Sequence, residues 1–359
     1  MRQQYRFSAE NGYVQLDRWI EDTGEKKVLL VCGRSLQSLP MYEYFLEMPR
    51  RLGITVIKFS DFSPNPVEES VRKGVEVFKR SQCGVILAVG GGSAIDVAKC
   101  IRLYAGRAYL PFAAVPTTAG SGSESTRFAV IYRRGEKQSI TDDRCLPDAV
   151  LLEPKNLRGL PEYQRKAAMM DAFSHAVESY WSLRATKESR AYSRQALRLL
   201  MKNYAGYLSG GEEESGQMLM AAHLAGKAIN LAQTTAGHAM SYKLTGLYGI
   251  AHGHAAALCV SVLWRYMLAH PENKAEGGSA ILSVCEEIAQ AMGCAGSMEA
   301  AARFQEILDS LMLGVPSAVE PDFALLKASV NQDRLRNHPI RLEEAELEAL
   351  YRQALPAVP

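Results

Sequence analysis

Over its first 150 residues the chain alternates short, β-branched apolar runs with stretches of helical period, and this rhythm leaves few folds open. The runs fall at 27–32, 53–59, 84–89, 113–116 and 149–152, with helical patterns such as 68–81 between several of them. Bounded by Gly and Pro, they read as buried strands. Strands joined by helices pair in parallel, because a parallel neighbour needs a long crossover and a helix provides it. An α/β domain with a mainly parallel sheet is therefore expected over 1–160.

The texture changes after Leu160-Pro161. Long helical patterns follow at 164–181, 188–208, 217–230 and 281–292, with no convincing strand pair. Ser209-Gly210-Gly211 and Glu276-Gly277-Gly278 read as loops between them. The expectation is an all-α C-terminal domain over 161–359, with chemistry in the cleft between the two domains.

A length of 359 residues, 47% hydrophobic and 22% charged, suits two globular domains. The formal net charge of +2, with no basic tail or like-charge block, disfavours nucleic acid and anionic membrane as partners. The seven cysteines are scattered, odd in number and without a C-x-x-C pair, which points to reduced thiols in the cytoplasm. The N-terminus shows no apolar core of a signal peptide. The longest apolar stretch, 255–264, is too short to span a bilayer and reads as a buried helix.

Two loops suggest a phosphate ligand. Gly90-Gly91-Gly92-Ser93-Ala94-Ile95-Asp96-Val97-Ala98-Lys99 follows a predicted strand and opens a predicted helix. Glycines there let the backbone approach a pyrophosphate, and the first N–H groups of the helix hold the anion. The spacing is not G-x-G-x-x-G, and three glycines after a strand are as often a plain turn. The second loop, Pro116-Thr117-Thr118-Ala119-Gly120-Ser121-Gly122-Ser123-Glu124, also follows a strand and gathers hydroxyls among glycines, suited to a phosphate or ribose. Together they favour a bound dinucleotide.

Asp171 and His175 are four apart within a helical pattern and so share one face. His238 and His252 follow in apolar surroundings. A lone Asp/His pair on a helix is more often a salt bridge or a satisfied core pair. One carboxylate and three imidazoles suit Fe²⁺ or Zn²⁺, and a shared cation would partner polar groups buried among apolar ones.

These motifs together resemble the iron-containing (type III) alcohol dehydrogenases along nearly the whole chain. The resemblance runs through Asn65-Pro66, the two loops, Leu160-Pro161, Asp171-Ala172-x-x-His175-Ala176-x-Glu178, Ala225-Gly226, His238, His252-Gly253 and Asn337-His338-Pro339-Ile340-Arg341. It implies a dehydroquinate synthase-like architecture, a homodimer, and Asp171, His175, His238 and His252 as ligands of Fe²⁺, with Zn²⁺ as the alternative. It also implies that Asn65, Gly90, Gly91, Gly92, Ser93, Asp96, Lys99, Thr117, Thr118 and Ser121 serve a nicotinamide cofactor. The implied reaction is hydride transfer between the cofactor and a small aldehyde or alcohol.

Three departures refine this. Where relatives often carry an acid after the first strand, this chain has Gly33-Arg34-Ser35, so NADP(H) is expected over NAD(H). Where many have a further histidine, this chain has Tyr242, whose pKa of about 10 suits a proton donor rather than an acceptor. The segments around Arg127, Glu178 and Lys243 resemble the branch that reduces phosphonoacetaldehyde to 2-hydroxyethylphosphonate. Arg127 and Lys243 are then candidates for the phosphonate, and His254 for the pocket wall. Competing expectations are a glycerol or glycerol-1-phosphate dehydrogenase, a dehydroquinate-synthase-like lyase, and a catalytically silent nucleotide-binding protein.

Overall fold

The computed structural model describes residues 4–8, 11–134, 136–275 and 280–357. The chain packs as two units, Met1–Leu160 with Ser209–His223, and Pro161–Leu208 with Leu224–Pro359.

In the first unit, strands β1 (Tyr5–Ser8), β2 (Lys27–Cys32), β3 (Thr55–Phe59), β4 (Val85–Gly90), β5 (Phe112–Pro116) and β8 (Ala149–Leu152) form a six-stranded sheet in the order β1-β8-β5-β4-β2-β3. Every pairing in it is parallel. The crossovers include helices α1 (Gly12–Asp22), α2 (Tyr42–Leu52), α3 (Glu68–Ser81) and α4 (Gly92–Tyr104). The pleat decides which residue meets which helix. Val28, Leu30 and Cys32 of β2 pack with Leu16 and Ile20 of α1 and Phe45 and Met48 of α2. Leu29 and Val31 turn to the other face, with Phe78 of α3 and Ile95 and Ile101 of α4. Both faces of the inner strands are covered, which is why β2, β4 and β5 are apolar on successive positions.

The hairpin of β6 (Phe128–Arg133) and β7 (Glu136–Thr141) has no counterpart among the predicted strands. Its second strand, Glu-Lys-Gln-Ser-Ile-Thr, has only Ile140 to register as apolar. The edge strand β1, Tyr-Arg-Phe-Ser, escapes because it buries only Phe7 and carries no apolar run.

The second unit is helical: α5 (Glu162–Trp181), α6 (Lys187–Leu208), α7 (Glu212–Ala232, grouped here from Leu224), α8 (Ala236–Tyr248) and α9 (His252–Ala269). Then come α10 (Ile281–Met292), α11 (Ser297–Ser310), α12 (Glu320–Ala328), α13 (Gln332–Leu335) and α14 (Glu344–Ala354). Among the described residues it contains no sheet. From Met169 to Trp181 every residue of α5 is buried, so it is a central helix with no solvent face there. The loop expected at Ser209-Gly210-Gly211 is a turn between α6 and α7, and Glu276-Gly277-Gly278 lies outside the described residues. Among the described residues no helix is long and apolar enough to cross a membrane.

Candidate metal centre and nucleotide loops

On α5, Asp171, His175 and Glu178 stand at i, i+4 and i+7, which places them on one stripe of a helix without a solvent face. Such groups need partners, and α8 and α9 bring them. His238 lies in the first turn of α8, and His252 is the first residue of α9.

Ligating atoms of Asp171, His238 and His252 all lie within 4.8 Å of one another. His175 stands beside them: its ring stacks on that of His238 at 4.6 Å, and its Nε2 is 3.7 Å from Asp171 Oδ1. His238 Nε2 is 3.5 Å from the same oxygen. Two ligands each about 2.1 Å from one ion stand roughly 3.4 Å apart at a tetrahedral angle. The separations therefore fit a shared cation better than a direct hydrogen bond.

The tautomer of His238 agrees. Its Nδ1–H donates to Glu178 Oε2, which leaves Nε2 as a lone-pair donor facing the Asp171 carboxylate. Both Nε2 and Oδ1 are buried without a hydrogen-bond partner in the protein. A divalent cation taking the place of a proton between these two buried atoms would satisfy both, so the residues present fit a divalent metal.

Electrostatics point the same way. Burial pushes the Asp171 carboxyl up, but His175, His238 and His252 outweigh it and hold the carboxyl well below its usual range. Burial also opposes ionisation of Glu178, yet His238 and Thr235 draw its pKa down to about 2. Burial lowers His238, and Glu178 and Asp171 reverse that, raising it to about 9. All three shifts favour added positive charge.

Residues absent from the predicted site build its frame. Glu178 Oε1 accepts from Thr235 N (3.0 Å), Thr235 Oγ1 (2.6 Å) and Gly237 N (2.9 Å), so the carboxylate caps α8 and sits at the positive end of its dipole. Asn337 Nδ2 donates to Ala232 O and Thr234 O at 2.9 and 3.0 Å, holding the turn that enters α8. Tyr163 Oη accepts from Ala251 N at 2.9 Å, just before His252. At Gly253 a Cβ would lie 2.1 Å from Ala167 O and 2.5 Å from Asp171 Cβ. Only glycine lets α9 come so close to α5. The i+7 spacing of Glu178 was the available signal for its role; nothing local marks Gly253 as a contact.

Tyr242 lies one turn beyond His238, its ring 5.7 Å from that of His252. Burial raises its pKa, against the opposing effect of Arg334. Lys243 is half-buried on the same helix. His254 is buried, two residues past His252 and so roughly 200° around α9. Its Nδ1 lies 3.2 Å from Tyr163 Oη, and burial holds its pKa down.

In the first unit, β2, β4 and β5 end side by side, with Cys32 level with Val89 and Gly90 level with Pro116. The chain runs from β2 to β3 on one side and places β4 on the other, so β2 and β4 flank the topological switch point where open α/β sheets bind ligands. The predicted loops lie at that edge and pack on each other. A Cβ at Gly91 would meet the Thr118 side chain at 3.2 Å, and one at Gly92 would meet Ser121 Oγ at 3.1 Å. Thr117 N donates to Gly90 O at 3.1 Å. Ser93 is in the first turn of α4, half-buried.

Asp96 and Lys99 brace the loop from beneath. Lys99 is fully buried, and its ammonium donates to Ser123 Oγ (2.9 Å), Thr126 Oγ1 (3.0 Å) and Phe128 O. Burial pulls its pKa down. Asp96 accepts from Ser123 Oγ and, at 3.0 Å, from Val130 N. The resemblance implies a Lys99 that serves the cofactor; the structure gives its ammonium no exposure. Gly33 follows β2, and Arg34 and Ser35 are exposed at the start of a short helical turn. Asn65 is exposed with φ of 58°, a left-handed conformation asparagine tolerates. Arg127 pairs with the exposed Asp143 at 3.2 Å.

Comparison with known proteins agrees along the chain. Residues 4–154 match the model of the iron-containing alcohol dehydrogenase family, and residues 166–355 match the C-terminal model of the Fe-containing alcohol dehydrogenase family. The 1,3-propanediol dehydrogenase of Klebsiella pneumoniae is 33% identical, with 92% of each chain covered. The phosphonoacetaldehyde reductase of Streptomyces viridochromogenes is 29% identical, over 90% of this chain and 89% of the relative. The crystal structure of sulfoacetaldehyde reductase from Bifidobacterium kashiwanohense, in complex with NAD⁺, superposes with a TM-score of 0.87 at 25% identity, covering 99% of this chain and 98% of that one.

Proposed function

This chain belongs to the iron-containing alcohol dehydrogenase family, and from that premise we propose that it is an Fe²⁺-dependent, NADPH-linked reductase of a small aldehyde, with phosphonoacetaldehyde as the substrate. The observation that carries the reading is the convergence of ligating atoms of Asp171, His238 and His252, with His175 stacked on His238 and 3.7 Å from Asp171. When bound, the metal supplies Lewis acidity toward a carbonyl oxygen and the reduced nicotinamide supplies the hydride.

The chain's own residues do the rest. Asp171 and the three imidazoles hold the metal, with Glu178 fixing the face that His238 presents. Tyr242, kept protonated by burial, is a hydrogen-bond donor at Oη for the nascent alcohol. Gly90–Ser93 and Thr117–Ser121 hold the cofactor's phosphates and riboses, on a loop framework that Asp96 and Lys99 stiffen. Arg34, exposed beside the switch point with no acid at the end of β2, favours a 2′-phosphate and hence NADPH. Lys243, half-buried one residue after Tyr242, is the sequence-derived candidate cation for the phosphonate. Arg127 is already paired with Asp143, and His254 with Tyr163.

The likeness to 1,3-propanediol dehydrogenase favours a second reading, an uncharged hydroxyaldehyde and its diol. The test is NADPH oxidation by the Fe²⁺-loaded protein with phosphonoacetaldehyde, sulfoacetaldehyde and 3-hydroxypropanal, repeated with NADH. Preference for the phosphonate supports the first reading, and turnover of only the uncharged aldehyde supports the second. Work in the cytoplasm as a homodimer is part of the proposal. Seven free cysteines support the reducing compartment, and sedimentation equilibrium tests the dimer.

A further inference from the structure

We infer that Arg334 is the specificity-determining residue for an aldehyde bearing a tetrahedral oxyanion, phosphonate or sulfonate, one methylene from the carbonyl. This rests on the proposed reading of the metal centre as the place where the aldehyde is reduced.

The geometry runs outward from the donor set. His252 belongs to that set, the Tyr242 ring packs 5.7 Å from the His252 ring, and the Tyr242 hydroxyl shares a hydrogen bond with the Arg334 guanidinium. A permanent cation therefore lies one aromatic side chain away from the donors. A small aldehyde with its oxygen at the donor set would extend its tail alongside Tyr242, toward that cation. The planar fork of a guanidinium matches two oxygens of a phosphonate or sulfonate at once, which an ammonium does not.

Arg334 is also held in place. It is half-buried on α13, which packs on α8, and its backbone N donates to Asn331 Oδ1 at 3.0 Å. Three residues on, Asn337 is bonded to the carbonyls of Ala232 and Thr234. The turn that positions His238 thus also anchors the segment carrying Arg334. A side chain held ready in this way loses little entropy on binding, and partial burial strengthens its pairing with an anion. The cations singled out from sequence compare poorly. Arg127 already faces Asp143, and Lys243 offers a point charge.

The experiment uses the Fe²⁺-loaded full chain, as wild type, Arg334→Leu and Arg334→Lys, with metal content and melting temperature measured for each. The quantity read is kcat/KM for phosphonoacetaldehyde and for sulfoacetaldehyde, each divided by kcat/KM for propanal. The expected result is a fall in both ratios of about 10- to 100-fold in Arg334→Leu, as for loss of a hydrogen bond to a charged group, with partial recovery in Arg334→Lys. If only one ratio falls, the oxyanion selected is that one. A drop in all three substrates together, with ratios unchanged, would mean that Arg334 acts only by holding Tyr242, and would overturn the inference. A wild type with no preference for either charged aldehyde would overturn the charged-substrate reading itself, a different failure. Should Arg334→Leu not fold, Arg334→Lys decides through competition by methylphosphonate and methanesulfonate. Unchanged inhibition constants there would refute the assignment, and weakened ones would support it.

Discussion

Replacing Gly253 with alanine adds one methyl group where α9 meets α5. That carbon would lie 2.1 Å from Ala167 O, 2.5 Å from Asp171 Cβ and 2.9 Å from Asp171 N. Carbon and oxygen normally approach to about 3.3 Å, so the overlap with the carbonyl is roughly 1.2 Å. Two of the three clashing atoms are helix backbone and cannot rotate away. Relief requires α9 to retreat from α5, carrying His252 with it. Overpacking of this kind costs about 1–3 kcal/mol of stability. The effect on the metal is larger, because ligand distances hold to within about 0.2 Å and a retreat of roughly 1 Å exceeds that several-fold. Metal affinity is expected to fall by at least about 10–100-fold, the range seen when the supports of a ligand are lost. Chelator competition reads the affinity, and denaturant unfolding of the metal-free protein reads the stability. Gly246→Ala is the control: nothing lies within 4 Å of its added carbon, so it should be neutral or stabilise by about 0.4–1 kcal/mol. Wild-type affinity and stability in Gly253→Ala would refute the close-approach account of the centre.

Glu178→Gln removes the charge that orients His238 at the start of α8, and chelator competition should show metal affinity lower by about 10–100-fold; unchanged affinity would reduce Glu178 to a helix cap. Arg34→Asp should lower the ratio of kcat/KM for NADPH over NADH by about 10–100-fold, and a ratio that stays put removes Arg34 from cofactor selection. Burial holds the buried His338 imidazole down at about 4, against the pull of Glu178, whereas in the unfolded chain it titrates near about 6.5. The unfolded state therefore takes up this proton first, and stability is lost as pH falls from about 6.5 toward about 4, with no contribution above that window. Unfolding of His338→Gln between pH 7 and 5 should show a shallower loss than wild type; parallel curves would count against a neutral His338.

Much of the framework was legible because its signals are local. Short apolar, β-branched runs predicted β2 to β5 and β8, and a helical period predicted α3 and α10 with the bounds observed. Weak patterns hid the rest: β7 offers one strongly apolar side chain, and β1 buries only Phe7. In the site, the i, i+4 spacing of Asp171 and His175 announced a shared face, since helix geometry alone sets it. The glycine loops after two strands were readable in the same way.

The sequence by itself thus determined which stretches become strands and helices, and which helix face carries ionisable groups, because backbone periodicity is a property of neighbours along the chain. Only the tertiary structure decided that His238 and His252 meet Asp171, since that depends on how closely α8 and α9 pack on α5. It likewise decided that Gly253 is a contact rather than a turn, that Glu178 orients His238, and that Lys99 is buried bracing a loop. Each of these follows from which surfaces are in contact across the fold, and contacts between residues far apart in the chain leave no periodic trace in it.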